Sequence, residues 1–247
     1  MEKLIQNAVV SYGDVDREER LTLRGVFKFL QEAAIAHANK YDVGSHAMIT
    51  RGESWVLNRM AAHMARYPRY EEALRIETWS SGIKGFKGYR DFRVFDTSGE
   101  VVIAASSLWL YVNTRTKSII RVPRDVAEGF PMVAAPVFQP DLEDLEFASP
   151  DADAATASVT LRFGDIDAND HVNHTAYFDF VQTALAAVGH PPRPVDVRIK
   201  FLKGIPAEAS TVDVHVARVA PAAEAGEAPV RFSVEKEGAI FAQGEVG

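Results

Sequence analysis

Apolar positions recur along this 247-residue chain with two different periods. Across residues 23–38, Val26, Phe29, Leu30, Ala33 and His37 stand at i, i+3, i+4, i+7 and i+11, which places a stripe down one side of a helix. A second stripe begins near Asn173, where Tyr177, Phe180, Val181 and Ala184 repeat the spacing. Behind the first stripe come shorter, partly alternating runs rich in aromatic and aliphatic residues at 54–60, 74–79, 88–95, 101–112 and 118–121. Behind the second come 195–202, 211–216, 230–235 and 239–243. These read as strands, with Asp96-Thr97-Ser98-Gly99 a turn between two of them. One long helix followed by a run of antiparallel strands, twice over, predicts an α+β fold in which each sheet wraps its own helix.

The two halves also align residue by residue. At an offset of 151, Gly13, Asp14, Asp16, Phe27, Phe29, Gln31 and Ala33 recur without a gap as Gly164, Asp165, Asp167, Phe178, Phe180, Gln182 and Ala184. Where the second copy has Asn169, His171 and Asn173, the first has Glu18, Arg20 and Thr22. The first copy therefore reads as structural and the second as the bearer of chemistry. The pattern divides the chain into a module at 1–131, an Ala-, Pro- and Asp-rich linker or crossover at 132–157, and a module at 158–247. A polar insert at 221–229 reads as an extended loop.

Composition narrows the chemistry. The absence of cysteine excludes disulfides, a thiolate nucleophile and Cys-based zinc or iron–sulfur sites. There is no Gly-x-Ser-x-Gly elbow, no P-loop and no Gly-x-Gly-x-x-Gly after a strand, so serine-hydrolase chemistry and nucleotide binding lack support. No cofactor is expected. A net charge of -7 argues against nucleic acid as a partner. No apolar run reaches the ~18–20 residues of a membrane span, and the N-terminus lacks the apolar core of a signal peptide. A cytoplasmic protein is expected. The acids concentrate in the second half, and residues 1–131 hold 19 Lys and Arg against 16 Asp and Glu. Lys84, Lys87 and Arg90, then Arg115, Lys117, Arg121 and Arg124, form basic clusters that would suit an acidic partner, although solvated strand faces explain them too.

Asp167, Asn169 and His171 alternate just before the second helix, so an extended or turning segment puts all three on one side. The helix start adds free N–H groups and a positive dipole end. Such a set suits a developing oxyanion, with amide donors on a carbonyl, an imidazole to move protons and a carboxylate to orient it. An Asx-rich capping turn with Asn173 as N-cap is the plainer reading of these residues. His171 and His174 form a His-x-x-His pair, but no further His or Cys stands at ligand spacing, so no metal is expected.

From these residues the chain resembles the acyl-acyl carrier protein thioesterases of bacterial and plant fatty-acid synthesis. The resemblance rests on Asp167-x-Asn169-x-His171-Val172-Asn173 and on Leu30-Gln31-Glu32-Ala33-Ala34 followed by His37. Arg66-Tyr67-Pro68, Glu77-Thr78-Trp79, and Ala105-Ser106-Ser107-Leu108-Trp109 with Val112-Asn113 extend it over nearly the whole chain. Plant members carry an organelle-targeting extension absent here, so the bacterial type is expected. The resemblance implies two tandem hotdog modules, each a long helix wrapped by an antiparallel sheet, that hydrolyse the thioester of fatty acyl-acyl carrier protein. It implies that Asn169 and His171 bind and activate the carbonyl and the water while Asp167 orients them, with Asn173 as a possible auxiliary. Acyl carrier protein is acidic, so Lys84, Lys87 and Arg90 become docking candidates. A monomer or homodimer fits two fused modules.

One position departs from the family. Aligning Phe201-Leu202-Lys203 with the strand after the active-site helix puts Gly204 and Ile205 where the family has Glu and, in plants, Cys. Glu208 is the candidate to replace that Glu. Three alternatives remain open: an acyl-CoA thioesterase, a hotdog hydratase, and a non-catalytic acyl-binding or sensor protein. Hydratases place a proline after the Asn and the His five residues after the Asp; here Asp170 follows Asn169 and the His comes at four.

Overall fold

The computed structural model describes residues 2–139, 141–151, 154–219 and 228–247. The first half folds as β1 (Leu4–Val9), α1 (Leu23–Asn39), α2 (Ser45–Arg51), β2 (Glu53–Met64), β3 (Ala73–Lys84), β4 (Lys87–Phe95), β5 (Val101–Asn113), β6 (Ser118–Ile119) and α3 (Arg124–Gly129). The second folds as β7 (Ala155–Thr160), α4 (His174–Ala187), β8 (Asp196–Phe201), β9 (Thr211–Arg218), β10 (Val230–Lys236) and β11 (Ala239–Val246). Every helix and strand that the apolar pattern predicts is present. β1, β7 and the short helices α2 and α3 are additions, and β7 begins inside the segment read as linker. The insert at 221–229 lies, except for its last two residues, outside the described residues.

Each half is a helix cradled by antiparallel strands, the hotdog arrangement. The sheets, however, are not separate. They join into one, ordered β1-β3-β4-β5-β2-β8-β11-β10-β9-β7, with β6 on β5. The seam is an antiparallel pairing of β2 with β8, from Arg59 opposite Lys200 to His63 opposite Asp196. The strand order of one half mirrors that of the other, so the modules are related about this seam.

The helices form for local reasons and stay because of what they bury. Thr22 caps α1 by accepting from the Gly25 N–H, and Asn173 caps α4 by accepting from the Thr175 N–H. Val26, Phe27, Leu30 and Ala33 of α1 and Tyr177, Phe180, Val181 and Ala184 of α4 are buried in a core cluster shared by both modules. The helices meet where Phe27 and Phe178, equivalent under the offset, stack with ring centroids 3.4 Å apart. The Leu23 N–H donates across the junction to Gln182 Oε1 at 3.1 Å.

A charged clasp closes the same junction. Asp165 is fully buried and lies 2.7 Å from Arg24 Nη1 of α1. It also accepts from the Arg162 backbone N–H at 2.9 Å and the Arg162 guanidinium at 3.1 Å. Burial by itself would raise this carboxyl; the hydrogen bonds from Arg162 and Arg24 outweigh it and hold the group below the usual Asp range. A carboxylate with a lowered folded-state pKa stabilises the fold fully above its unfolded value of about 4, and the contribution is lost as pH falls below that. Asp165→Ala removes the buried acceptor and leaves Arg24 and Arg162 with Asp179 as their shared acid. It is expected to cost about 1–3 kcal/mol at neutral pH and, in chemical denaturation, to weaken the dependence of stability on pH below about 4.

The segment between the modules is strapped down. Leu142 is buried against Ala61 and Leu108, with Phe138 and Leu145 packed around it. The Phe138 N–H donates to Asp91 Oδ1 at 2.9 Å, and the Gln139 N–H to Ser106 Oγ at 3.0 Å. Glu143 takes both Lys87 and the Tyr89 hydroxyl. The strap therefore covers the outer face of β4, β5 and β2.

Candidate active site

The segment before α4 is a tight polar turn, and the first module contains its twin. Asp167 Oδ1 accepts from the Asn169 N–H at 2.8 Å, as Asp16 Oδ1 does from Glu18 at 2.8 Å. The Asp167 N–H reaches the His171 carbonyl at 2.9 Å, and that of Asp16 the Arg20 carbonyl at 2.8 Å. Asp170 and Glu19 both take left-handed backbone, at φ of 60° and 58°. Holding this turn is thus a task both aspartates share.

What differs is the second carboxylate oxygen. Asp16 Oδ2 is neutralised by Arg193 Nε at 2.8 Å. Among the described residues Asp167 Oδ2 has only the Asn173 side-chain amide, at 3.4 Å. The first copy closes its carboxylate with a cation, whereas the second leaves it open beside the helix start. There the backbone N–H of His174 has no acceptor among the described residues.

His171 is exposed and oriented. Its Nδ1 lies 2.7 Å from the Asn169 carbonyl oxygen, which can only accept. The Nδ1 therefore carries the proton, and in the neutral ring Nε2 keeps its lone pair. The segment 204–206 runs alongside: the Val172 N–H donates to Ile205 at 3.0 Å, His171 bridges Pro206, and the Ile205 N–H is tied to the Tyr177 hydroxyl of α4 at 3.1 Å. Gly204 lies flat against the imidazole. A Cβ there would sit 2.7 Å from His171 Cδ2.

The structure gathers Asp167, Asn169, His171 and Asn173 into one turn. Glu208 does not join them: it is exposed at the corner of the turn 206–209 and makes no hydrogen bond to the four among the described residues. His174 does not form a metal pair with His171 either. It packs edge-on against Trp109 and Phe201, each 6.2 Å away, and burial lowers it to about 4, so the ring is neutral. Among the described residues no group of three or more His, Cys, Asp or Glu could hold a metal ion.

The basic trio read as a docking patch needs correction. Lys84 is exposed, but Lys87 is engaged by Glu143, and Arg90 is only 6% exposed. Arg90 shares the inward parity of Gly88, Phe92 and Val94 on β4, so it points into the module and not at a partner.

Sequence reading also missed a cleft. An open, mostly apolar cleft lies between α1 and the inner face of β2–β5, lined by Ala34, Ala38, Met48, Trp55, Ile83 and Phe130 among others. The small residues make the room. At Gly88 the absent side chain lets the Trp55 ring lie across β4, since a Cβ would meet it at 2.8 Å. Trp109 also lines the space, and its ring meets His174, the residue after Asn173. The polar turn of one module thereby stands beside the apolar cleft of the other.

Residues 2–130 match the acyl-ACP thioesterase N-terminal domain and residues 148–246 the acyl-ACP thioesterase C-terminal domain. Among curated proteins, the chain is 27% identical over 189 residues to the chloroplastic acyl-[acyl-carrier-protein] hydrolase FATB2 of Cuphea viscosissima, covering 71% of this chain and 45% of that protein. It is 30% identical over 190 residues to the chloroplastic dodecanoyl-[acyl-carrier-protein] hydrolase of Cinnamomum camphora, covering 70% and 48%. The chain thus spans about half the length of the curated relatives it matches. Among solved structures, an acyl-ACP thioesterase from Bacteroides thetaiotaomicron superposes with a TM-score of 0.81 at 20% identity, covering 99% of this chain and 96% of that one. The 12:0-ACP thioesterase of Umbellularia californica gives 0.81 at 20% identity, covering 99% and 92%. With both of its domains matched along nearly the full length, the chain belongs to the acyl-ACP thioesterase family.

Proposed function

We propose that this protein hydrolyses the thioester joining a fatty acyl chain to acyl carrier protein, releasing the free acid in the course of fatty-acid synthesis in the cytoplasm. The observation that carries the reading is the pairing of an oriented His171, its Nε2 free to accept a proton, with an apolar cleft whose Trp109 meets His174, three residues further along the chain. The acyl chain lies in the cleft. The Asn169 side-chain amide, without a partner among the described residues, and the N–H at the start of α4 receive the carbonyl oxygen as it gains charge. His171 Nε2 takes a proton from water as the water oxygen bonds to the carbonyl carbon. When the C–S bond breaks, the same proton passes to the departing sulfur. The open Asp167 Oδ2 orients the water, and its charge steadies the imidazolium. Among the described residues no helix is long and apolar enough to cross a membrane.

The test is thiol release from acyl-acyl carrier proteins of increasing length, beside the matching coenzyme A esters. Release that depends on the carrier and increases with enzyme concentration is the expected result, with the best chain length set by the cleft. Saturable acyl binding with no release from any ester would instead support a binding or sensor protein, the reading favoured by the absence of a Glu at the position of Gly204.

A further inference from the structure

The inner wall of the cleft holds the buried guanidinium of Arg90. Arg90 Nη1 donates to His37 Nδ1 at 3.0 Å and to Thr78 Oγ1 at 3.0 Å. A His37 that accepts at Nδ1 carries its proton on Nε2, on the side of the Glu2 backbone and not on the lining of the cleft. Burial and the adjacent Arg90 charge lower His37 to about 4, so it holds Arg90 without adding a charge. Arg90 is almost fully buried, yet no carboxylate lies within ion-pair distance among the described residues. The neighbouring Asp91 belongs to the opposite face of β4, where Ser106 and the strap occupy its Oδ1. Burial pulls Arg90 down only to about 10, so it remains charged. Its Nε and Nη2 have no acceptor among the described residues, and the Phe130 ring, 5.5 Å away, covers one side of the guanidinium.

An unsubstituted alkyl chain offers these donors nothing. Leaving them unpaired against hydrocarbon costs free energy, whereas an oxygen acceptor at that depth satisfies them. The depth follows from the strand register. Gly88 pairs with Trp109, and Arg90 with Ser107. Arg90 therefore lies two residues along β4 and one strand across from Trp109, roughly 8 Å from it. Trp109 is already beside the polar turn, so Arg90 meets the chain well beyond its carbonyl.

We propose that the cleft is specific for acyl chains bearing an oxygen function remote from the thioester, a hydroxyl, oxo or carboxylate group that Arg90 holds. The proposal rests on the thioesterase reading for its reaction, though not for its binding.

The test uses the full chain and carrier-protein thioesters of octanoic, dodecanoic and hexadecanoic acid, each plain, hydroxylated mid-chain, hydroxylated at the terminal carbon, or carrying a terminal carboxylate. For at least one length, an oxygenated chain is expected to exceed its plain counterpart in kcat/KM by about tenfold or more. Arg90→Met should bring that ratio to about one, whatever the absolute rates. Methionine fills similar space without burying a charge, a replacement that protein cores generally accept, and a thermal melt checks folding. A separate arm measures the affinity of the His171→Ala variant for free hydroxy and plain acids by calorimetry. Plain chains preferred at every length, or a preference that Arg90→Met leaves unmoved, would overturn the proposal. Tighter binding of the hydroxy acids with no ester cleaved would overturn the thioesterase reading and leave this inference standing.

Discussion

Replacing His171 with alanine is expected to lower kcat/KM for acyl thioesters by about 10²–10⁴-fold, the range a positioned general base contributes. The affinity for the free fatty acid should be unchanged, because the acyl site proposed above is the cleft of the other module. The fold should hardly notice. His171 is exposed, and its only side-chain hydrogen bond among the described residues is Nδ1 to the Asn169 carbonyl at 2.7 Å. Substitutions of that kind usually alter stability by no more than about 0.5 kcal/mol. The turn itself is fixed by Asp167 and the left-handed Asp170, neither of which the substitution touches. Single-turnover kinetics with calorimetry would read the two effects apart. A variant that retained most of its turnover would mean that His171 is not the base and that the open Asp167 Oδ2 activates water unaided.

The long elements were legible because their signals are local. Stripes at helical spacing gave α1 and α4, and alternating aromatic runs gave the strands of both cradles. The gapless offset also fixed features that only coordinates display, such as the twin turns and the Phe27–Phe178 stack. The missed elements carry weak local signals. β1 and β7 lie at opposite ends of the sheet, and β7 is built of small residues, Ala-Thr-Ala-Ser-Val-Thr, with no apolar run. The β2–β8 seam joins segments more than a hundred residues apart, which no periodicity announces. At Arg90 charge misled, because a cation on a strand suggests a solvated face. Its parity with Gly88, Phe92 and Val94 pointed inward and was the signal to follow.

The chemistry of the turn was half legible. Asp167, Asn169, His171 and Asn173 stood out because the first copy lacks three of the four. The aspartate did not differ: Asp16 occupies its place and does the same work for the backbone. Only the structure separates the two, through Arg193, which closes Asp16 and comes from a loop distant in sequence. The cleft was illegible because it depends on how Ala34, Ala38 and Gly88 from different elements face one another across the module.

Gly204→Glu is expected to slow the enzyme by about tenfold to a hundredfold, although it restores the carboxylate that the family resemblance places at this position. The reason is steric and precedes any question of charge. A Cβ at residue 204 would stand 2.7 Å from His171 Cδ2 and 3.3 Å from Cγ. The ring must then turn away, and turning breaks the bond from Nδ1 to the Asn169 carbonyl that fixes its tautomer and aim. That bond is worth only about 1 kcal/mol of stability, so the protein should fold. A catalytic group displaced by about 1 Å, however, can lose about 10²-fold in rate. Gly204→Ala separates the two effects, since it adds the Cβ without the carboxylate. Equal losses in both variants, with unchanged binding of free acid, would show that this chain has exchanged the Glu for a close glycine–imidazole contact. A Glu variant faster than the unsubstituted enzyme would show the opposite: the ring has room to yield, and the missing carboxylate limits the reaction.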